Sequence, residues 1–463
     1  MPTPATLVEQ LAAFVCELDL EQLPPEAVHE ARRCVLDTLG VIAAGKHSQV
    51  TANARQYALS TYAPGAASVV GVSETLHPAG AALVNACAGH ALDFDDTSYT
   101  GIMHASVAVL PAALAVAEQR GAGGRALLEA FIAGVEVEYA VAEFCTTHLY
   151  FKGWWTSGVY AALGAAAAVS KLLVLDEKRT TAALALAMST AAGMKSAFGT
   201  DAKPLGLGIA AGQGLASALQ AETGLDAPRD VFENERGFLA LYNDGRHRND
   251  ADLKLGRRWR LLEPGILFKT YPVCSAAQAA AELCQSLLKR HRLTAAEIVE
   301  VRCEVPELVR ISLVYDDPTS IREAQFSLPF AVGSMLAWGQ LGLEQLDPAL
   351  LSDERLRREM AKVSACVPEW LVADESAAER CPEGAGVELV TQSGICHADF
   401  LDRPTGMPGN PVSDLALADK CHACLAFGGV DPESAESLVD AVWQIEGLES
   451  LEPLALGSRV SRM

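Results

Sequence analysis

Val299-Glu-Val-Arg-Cys-Glu-Val305 alternates apolar and polar residues without a break. That period of two marks a half-buried strand, and Val387-Glu-Leu-Val-Thr391 offers a second. Outward from this pair the chain reads helical in both directions. Toward the N-terminus, Ala276, Ala280, Leu283 and Leu287 recur at helical spacing, and almost everything before Gly265 continues the theme. Pro24-Pro25-Glu26 opens one helix with proline and an acid in its first turn; Val28, Ala31, Val35, Leu39 and Ile42 then hold one apolar face until Gly45 stops it. Ala126 to Glu143 and Val159 to Val174 repeat the pattern, set apart by Gly-rich turns such as Arg120-Gly-Ala-Gly-Gly-Arg125. Toward the C-terminus, Arg403-Pro-Thr-Gly-Met-Pro-Gly409 closes the strand-bearing segment, and helix resumes from Asp414 to the end. The expected fold is mainly α: a large all-helical domain, 1–263 and 402–463, interrupted by a smaller α+β domain, 264–401.

Composition narrows the class of function. Of 463 residues, 50% are apolar and only 20% charged, which suits a large globular core and not a disordered chain. Alanine-rich, aromatic-poor segments favour closely packed helices. A net charge of -22 argues against nucleic acid or an anionic membrane surface as partner, because no basic patch can release counterions. A small anionic substrate is still allowed, since one or two local cations suffice. Met1-Pro-Thr-Pro-Ala leads directly into an amphipathic pattern, not a secretory signal, and Val159 to Val174 is too short and too weak for a membrane span. The 12 cysteines are scattered, many within apolar helical patterns (Cys16, Cys34, Cys87, Cys284), as expected of reduced thiols in a cytoplasmic protein.

The chemistry concentrates in Gly89-His90-Ala91-Leu92-Asp93-Phe94-Asp95-Asp96-Thr97, followed by His104. Three carboxylates so close together raise one another's pKa values, and the flanking sequence is Ala-rich and apolar. Two explanations compete. Asp95 or Asp96 caps the next helix, or the stretch forms a catalytic wall that combines carboxylate, hydroxyl and imidazole. His90, within the Ala-rich helix, reads as packing. Lys203 follows Gly199-Thr-Asp-Ala202 in a helix-breaking stretch, where the plain reading is an exposed side chain. Other signals are weaker. Cys421-His-Ala-Cys424 has neither a preceding strand nor a second pair, which argues against redox or zinc chemistry. Gly206-Leu-Gly-Ile-Ala-Ala-Gly212 misses the dinucleotide spacing. The aspartates have no second acidic motif and no arginine clamp to make a magnesium–diphosphate site.

Taken together, Asp93-Phe-Asp-Asp-Thr97 with His104 and Val109-Leu-Pro-Ala-Ala-Leu-Ala-Val116 resembles the signature region of the 2-methylcitrate dehydratase family, MmgE/PrpD. Gly164-Ala-Ala-Ala-Ala168 with Lys171-Leu-Leu173, Lys203-Pro-Leu205 with Ala210-Ala-Gly212, Lys269-Thr-Tyr-Pro272, Ala324-Gln-Phe-Ser-Leu-Pro-Phe330, and Pro411-Val-Ser413 with Lys420 extend the likeness over nearly the whole chain. The family includes cis-aconitate decarboxylase and iminodisuccinate epimerase. The resemblance implies a homodimer built through the helical domain and an active site beneath an α+β lid. Carried over by position, Asp93, Thr97, His104 and Lys203 are the expected catalytic residues. Lys269, Tyr271, Trp155, Gln278 and Phe330 are expected to bind substrate. Four positions depart from the family pattern: Trp155, Gly206 and Gln278 stand where histidines are usual, and Phe330 replaces a tyrosine.

In physical terms the retained set suits proton transfer beside a carboxylate. Lys203 and Lys269 pair with substrate carboxylates as point charges. His104 exchanges the proton near neutral pH, and Asp93 orients that imidazole or holds the substrate. The expected activity is a lyase of small di- or tricarboxylates, by dehydration or decarboxylation, with no metal or organic cofactor. Loss of three histidines favours an alternative, an epimerase or isomerase with the same proton transfer but no leaving group. A binding or structural protein that has lost catalysis is a third reading, and the retained residues count against it.

Overall fold

The computed structural model describes residues 5–248, 253–373 and 380–456. The protein is mainly α, as the sequence pattern implies. Among the helices that precede the four-stranded sheet, six frame the site: α1 (Pro25–Gly45), α2 (Pro78–His90), α3 (Ser106–Arg120), α4 (Gly124–Cys145), α5 (Thr156–Leu172) and α6 (Ala202–Glu222). Helix α2 is the axis of this group. Every one of its residues is buried, and it packs on α1, α3 and α6. Small residues make this possible. A Cβ on Gly208 of α6 would sit 2.4 Å from the Leu83 carbonyl oxygen, and one on Gly45 of α1 would sit 2.0 Å from that of Ala88. Gly45 does end α1, but its backbone is not left-handed; its smallness is needed because α2 crosses there.

Beyond these helices a four-stranded sheet forms from β1 (Ile298–Glu304), β2 (Val363–Cys366), β3 (Ala385–Thr391) and β4 (Cys396–Leu401). Its order is β2-β1-β3-β4, with β1 parallel to β2 and antiparallel to β3, and β4 antiparallel to β3. Helix α7 (Gln278–His291) lies across β3 and β4, and α8 (Leu328–Trp338) packs on α7. Val273, Leu283, Val301, Cys303, Phe330, Met335, Leu356 and Leu389 belong to a core drawn entirely from this segment. The alternation that identified β1 slips at its start. A register shift between Ile298 and Glu300 puts Ile298 inside and leaves Val299 half exposed, the usual consequence of an extra residue in one strand. Strands β2 and β4, at the two edges, were absent from the sequence reading.

The chain then returns to the helices. Helix α9 (Asp414–Phe427) packs along α1, with Cys421 against Gly40. The helical tail expected from Asp414 onward is broken into Asp414–Phe427, Pro432–Trp443 and Glu452–Ala455, and 457–463 lie outside the described residues. Cys421 and Cys424 are buried free thiols in α9. No helix among the described residues is long and apolar enough to cross a membrane.

Candidate active site

The site begins where α2 ends. His90 is its last residue, and three residues on Asp93 takes a left-handed backbone (φ 49°). Aspartate tolerates that conformation better than most side chains. The turn directs the Asp93 carboxylate to Lys203, in the first turn of α6, whose Nζ donates to Asp93 Oδ1 at 2.6 Å. Lys269 reaches the same residue from the other side, with Nζ 2.6 Å from the Asp93 carbonyl oxygen and 3.3 Å from Oδ2. Burial alone would raise the Asp93 pKa, but Lys203 and Lys269 together hold it well below the usual carboxylate range.

His90 joins this pair to the histidine that the sequence singled out. Its Nε2 lies 2.7 Å from Lys203 Nζ, and its Nδ1 lies 2.9 Å from both oxygens of Asp95. Because the lysine donates, Nε2 is the acceptor and the ring proton sits on Nδ1. Burial pushes the His90 pKa down to about 4 against the pull of Asp95, so the ring is neutral. His104 stands beside it, ring centroids 4.7 Å apart. Its Nδ1 faces the Asp96 carbonyl oxygen at 2.8 Å and Asp95 Oδ2 at 3.0 Å. Two acceptors at one nitrogen fix the proton there. His104 Nε2 has no partner among the described residues, and the side chain is 12% exposed where that of His90 is fully covered. His104 is the member of the cluster equipped to exchange a proton.

Two sequence expectations change here. Asp95, not Asp93, orients His104; the His104 and His90 imidazoles keep its pKa well below normal although burial works the other way. His90 is buried as expected, yet it is also the hydrogen-bonded hub between Lys203 and Asp95. Its place on a helix buried on all sides disguised that role.

The capping explanation for the aspartates also falls, because Ala105 precedes α3 and no side chain caps it. Asp96 instead accepts a hydrogen bond from Ser106 Oγ at 2.6 Å and lies deep in the protein. Desolvation, reinforced by the charge of Asp37, raises its pKa to about 8. Adjacent carboxyls are thus driven apart, Asp95 ionised and Asp96 neutral at pH 7. Burial also raises Asp37 and Glu138, and takes Glu136 and Glu30 to about 7. Each of these acids holds a proton in the folded state over a range where the unfolded chain has lost it. Stability therefore falls as pH rises through the interval from the unfolded values, roughly 4, to the folded ones, about 7 to 8. His90 and, above about pH 8, Lys195 work in the opposite direction but are fewer. The expected result is a melting midpoint that declines from about pH 5 to pH 9, with a shallower slope in Asp96→Asn; a midpoint that rises across that range would contradict these assignments.

Other expected residues are distributed unevenly. Thr97 is buried beside the cluster, but its hydroxyl donates to the Met103 carbonyl at 3.0 Å and its backbone pairs with Leu267. It closes the loop that leads to His104. Trp155 does line the site: its ring stacks on His90 at 5.6 Å and lies 5.5 Å from Lys203 Nζ. A Cβ at Gly206 would be 3.6 Å from the Trp155 ring. The two departures therefore belong together, because the indole occupies the space that a longer side chain at 206 would need.

Gln278 is not in the cleft. It accepts from the backbone N–H groups of Thr270 and Tyr271 and donates to the carbonyls of Tyr271 and Val273, so its amide is used up in bracing the loop that follows Lys269. Phe330 is fully buried in the core around the sheet and is not among the residues that line the cavity at Lys203. Tyr271 is half-buried and lines, with Lys269 and Phe94, a different groove of about 910 Å³. Three neighbours were not among the expected site residues, although Gln325 and Phe326 belong to the Ala324–Phe330 motif. Arg322, Gln325 and Phe326 line a cavity of about 10 Å³ together with His90, Asp93, Gly199, Thr200, Lys203 and Pro204. The ligand atoms of His90, Asp95 and His104 lie within 4.8 Å of one another, close enough to hold a metal ion. Their 2.9–3.0 Å separations are also those of direct hydrogen bonds, which satisfy all three without an ion.

Residues 9–250 match the MmgE/PrpD N-terminal domain and residues 271–445 the MmgE/PrpD C-terminal domain. The chain is 27% identical to the human (Homo sapiens) protein named cis-aconitate decarboxylase, covering 97% of this chain and 94% of that one. It is 26% identical to the mouse (Mus musculus) protein of the same name, over 97% and 92% of the two chains. For the cis-aconitate decarboxylase of Aspergillus terreus the identity is 24%, over 97% and 95%.

Proposed function

The chain belongs to the MmgE/PrpD family, and from that premise we propose that it is a lyase of small di- or tricarboxylic acids, acting by decarboxylation. The observation that carries this reading is His104, whose Nδ1 is fixed by two acceptors, whose Nε2 has no partner among the described residues, and whose ring packs against His90, the hydrogen-bond partner of Lys203. Lys203 and Lys269 hold a substrate carboxylate as point charges. The bond between carbon and a second carboxyl group breaks, CO2 leaves, and the electron pair stays on carbon, delocalised toward the group the lysines hold. His104 then gives the proton from Nε2 to that carbon. Asp95 steadies the imidazolium beforehand, as a buried carboxylate does for a catalytic histidine. Every group in this scheme is a side chain of this protein. The relatives named cis-aconitate decarboxylase support C–C cleavage over loss of water.

Substrate entry requires movement. A cavity of about 10 Å³ has room for one water molecule at most. The segment from Tyr315 to Phe326 is the wall that lifts, because it rests on the Phe198–Asp201 loop through Tyr315, Arg322 and a Phe198–Phe326 stack. In this reading residues 264–401 act as a lid on the helices.

Incubation with cis-aconitate, 2-methylcitrate and related acids, followed by nuclear magnetic resonance, tests the proposal. Loss of one carbon as CO2 supports it. Loss of water instead would make the protein a dehydratase. Inversion of a chiral acid without loss of mass would favour the epimerase reading, to which the indole at 155 and the missing histidines lend weight. Binding without any conversion across the panel would contradict a catalytic role. We also infer a homodimer formed through the helical part, from the family resemblance and the prevalence of two-fold dimers; a monomer mass by light scattering at micromolar concentration would remove that inference.

A further inference from the structure

We propose that Arg322 is the specificity residue that receives a second substrate carboxylate, so that the site selects dianions over monoanions. The inference rests on the carboxylic-acid lyase reading and deepens it. Arg322 belongs to the short turn Ile321–Ala324 of the inserted segment and crosses to the helical scaffold. Its Nη1 donates to the Ala91 carbonyl at the end of α2, and its Nε donates to Asp201 Oδ1 at 3.0 Å. Nη2 has no hydrogen-bond partner among the described residues. The same side chain lines the cavity with His90, Asp93 and Lys203.

Charge accounting makes this residue necessary. Lys203 and Lys269 both sit on Asp93, and Asp95 offsets the His104 imidazolium; with His90 neutral, the inner cluster has one excess positive charge, which a single substrate carboxylate matches. The indole at 155 contributes none. A substrate with two carboxylates would bring the second into a site with no cation left for it, and an unpaired buried charge is costly. Arg322 is the nearby cation whose present partner is easily given up, because the Asp201 side chain is 55% exposed and an exposed pair contributes little. A guanidinium also presents two parallel N–H groups to a carboxylate, which a carbonyl and one carboxylate oxygen do not match as well. Arg322 sits on the wall that must lift for entry, so exchange of Asp201 for substrate would join reclosure to recognition of the second carboxylate.

Calorimetric binding of succinate and of succinamate, its near-isosteric monoamide, tests this on the full chain. Wild type should bind succinate roughly 10- to 100-fold more tightly, the scale of a hydrogen bond to a charged group. Arg322→Gln should abolish that gap by weakening succinate alone, and Arg322→Lys should keep part of it. Asp201→Asn should widen the gap by releasing Arg322, the opposite of what loss of a structural latch would do; Asp201 caps no backbone N–H of α6. If Arg322→Gln fails to fold, the Lys and Asp201 variants carry the test. Equal weakening of both acids, or a narrower gap in Asp201→Asn, would overturn the proposal. A wild type that converts carboxylic acids but keeps its full gap in Arg322→Gln would overturn it while leaving the lyase reading intact. A wild type that neither binds nor converts any acid would overturn both.

Discussion

His104→Gln should lower turnover by roughly two to four powers of ten, the scale of lost general acid–base catalysis. Nδ1 of this ring is committed to Asp95 and the Asp96 carbonyl, so only Nε2 is available to a substrate. Glutamine fills a similar volume, but its amide exchanges no proton at neutral pH. Binding should change much less, because Lys203 and Lys269 are untouched. Single-turnover rates and equilibrium binding separate the two effects. A His104→Gln enzyme with near wild-type turnover would mean that the proton passes through another group.

The second large effect is expected at Asp95. Its carboxylate accepts from Nδ1 of both His90 and His104. Asparagine keeps one acceptor oxygen and places an NH2 where the other stood, so one ring must give up its hydrogen bond or change tautomer. In His104 the imidazolium would lose the carboxylate that steadies it, so fewer rings would carry the proton that Nε2 must give. A loss of up to about 10⁴ in turnover follows, by analogy with other aspartate–histidine pairs. Removing a buried charge that faces His90 and His104 and also acts on Lys269 should cost about 3 kcal/mol of stability, since the buried cations of the cluster lose part of their compensation. Asp95 and His104 act as a unit, so the double variant should be hardly slower than His104→Gln alone. Additive losses would show that Asp95 works independently of the ring.

The sequence revealed this site unevenly, for physical reasons. Asp93, Asp95, Asp96 and His104 are legible because they are close along the chain and out of character with the apolar residues around them. Which carboxylate serves which partner is not legible, because it depends on the left-handed turn at Asp93. His90 looked like packing since nothing local announces Lys203, 113 positions away. Arg322 was missed for the same reason; it meets the end of α2 across 231 positions. Gln278 and Phe330 were carried over by position alone, and the surroundings put both to structural use, in a loop brace and in a core. The fold shows the same division. The β1 and β3 sequences carry apolar alternation because the sheet centre buries one face. The edge strand β4 buries no residue fully, and neither does β2, so they leave no such trace.

The central claim is that His104 moves a proton at a carbon beside a carboxylate. The direct measurement is conversion of cis-aconitate and related acids in deuterated water, with products read by mass spectrometry for wild type and His104→Gln. The account predicts one deuterium at the carbon that lost CO2 in wild type, and formation of that labelled product slowed in the variant by the same factor as turnover. Labelled product formed at the wild-type rate without His104, or no conversion and no exchange with any acid in the wild type, would contradict it.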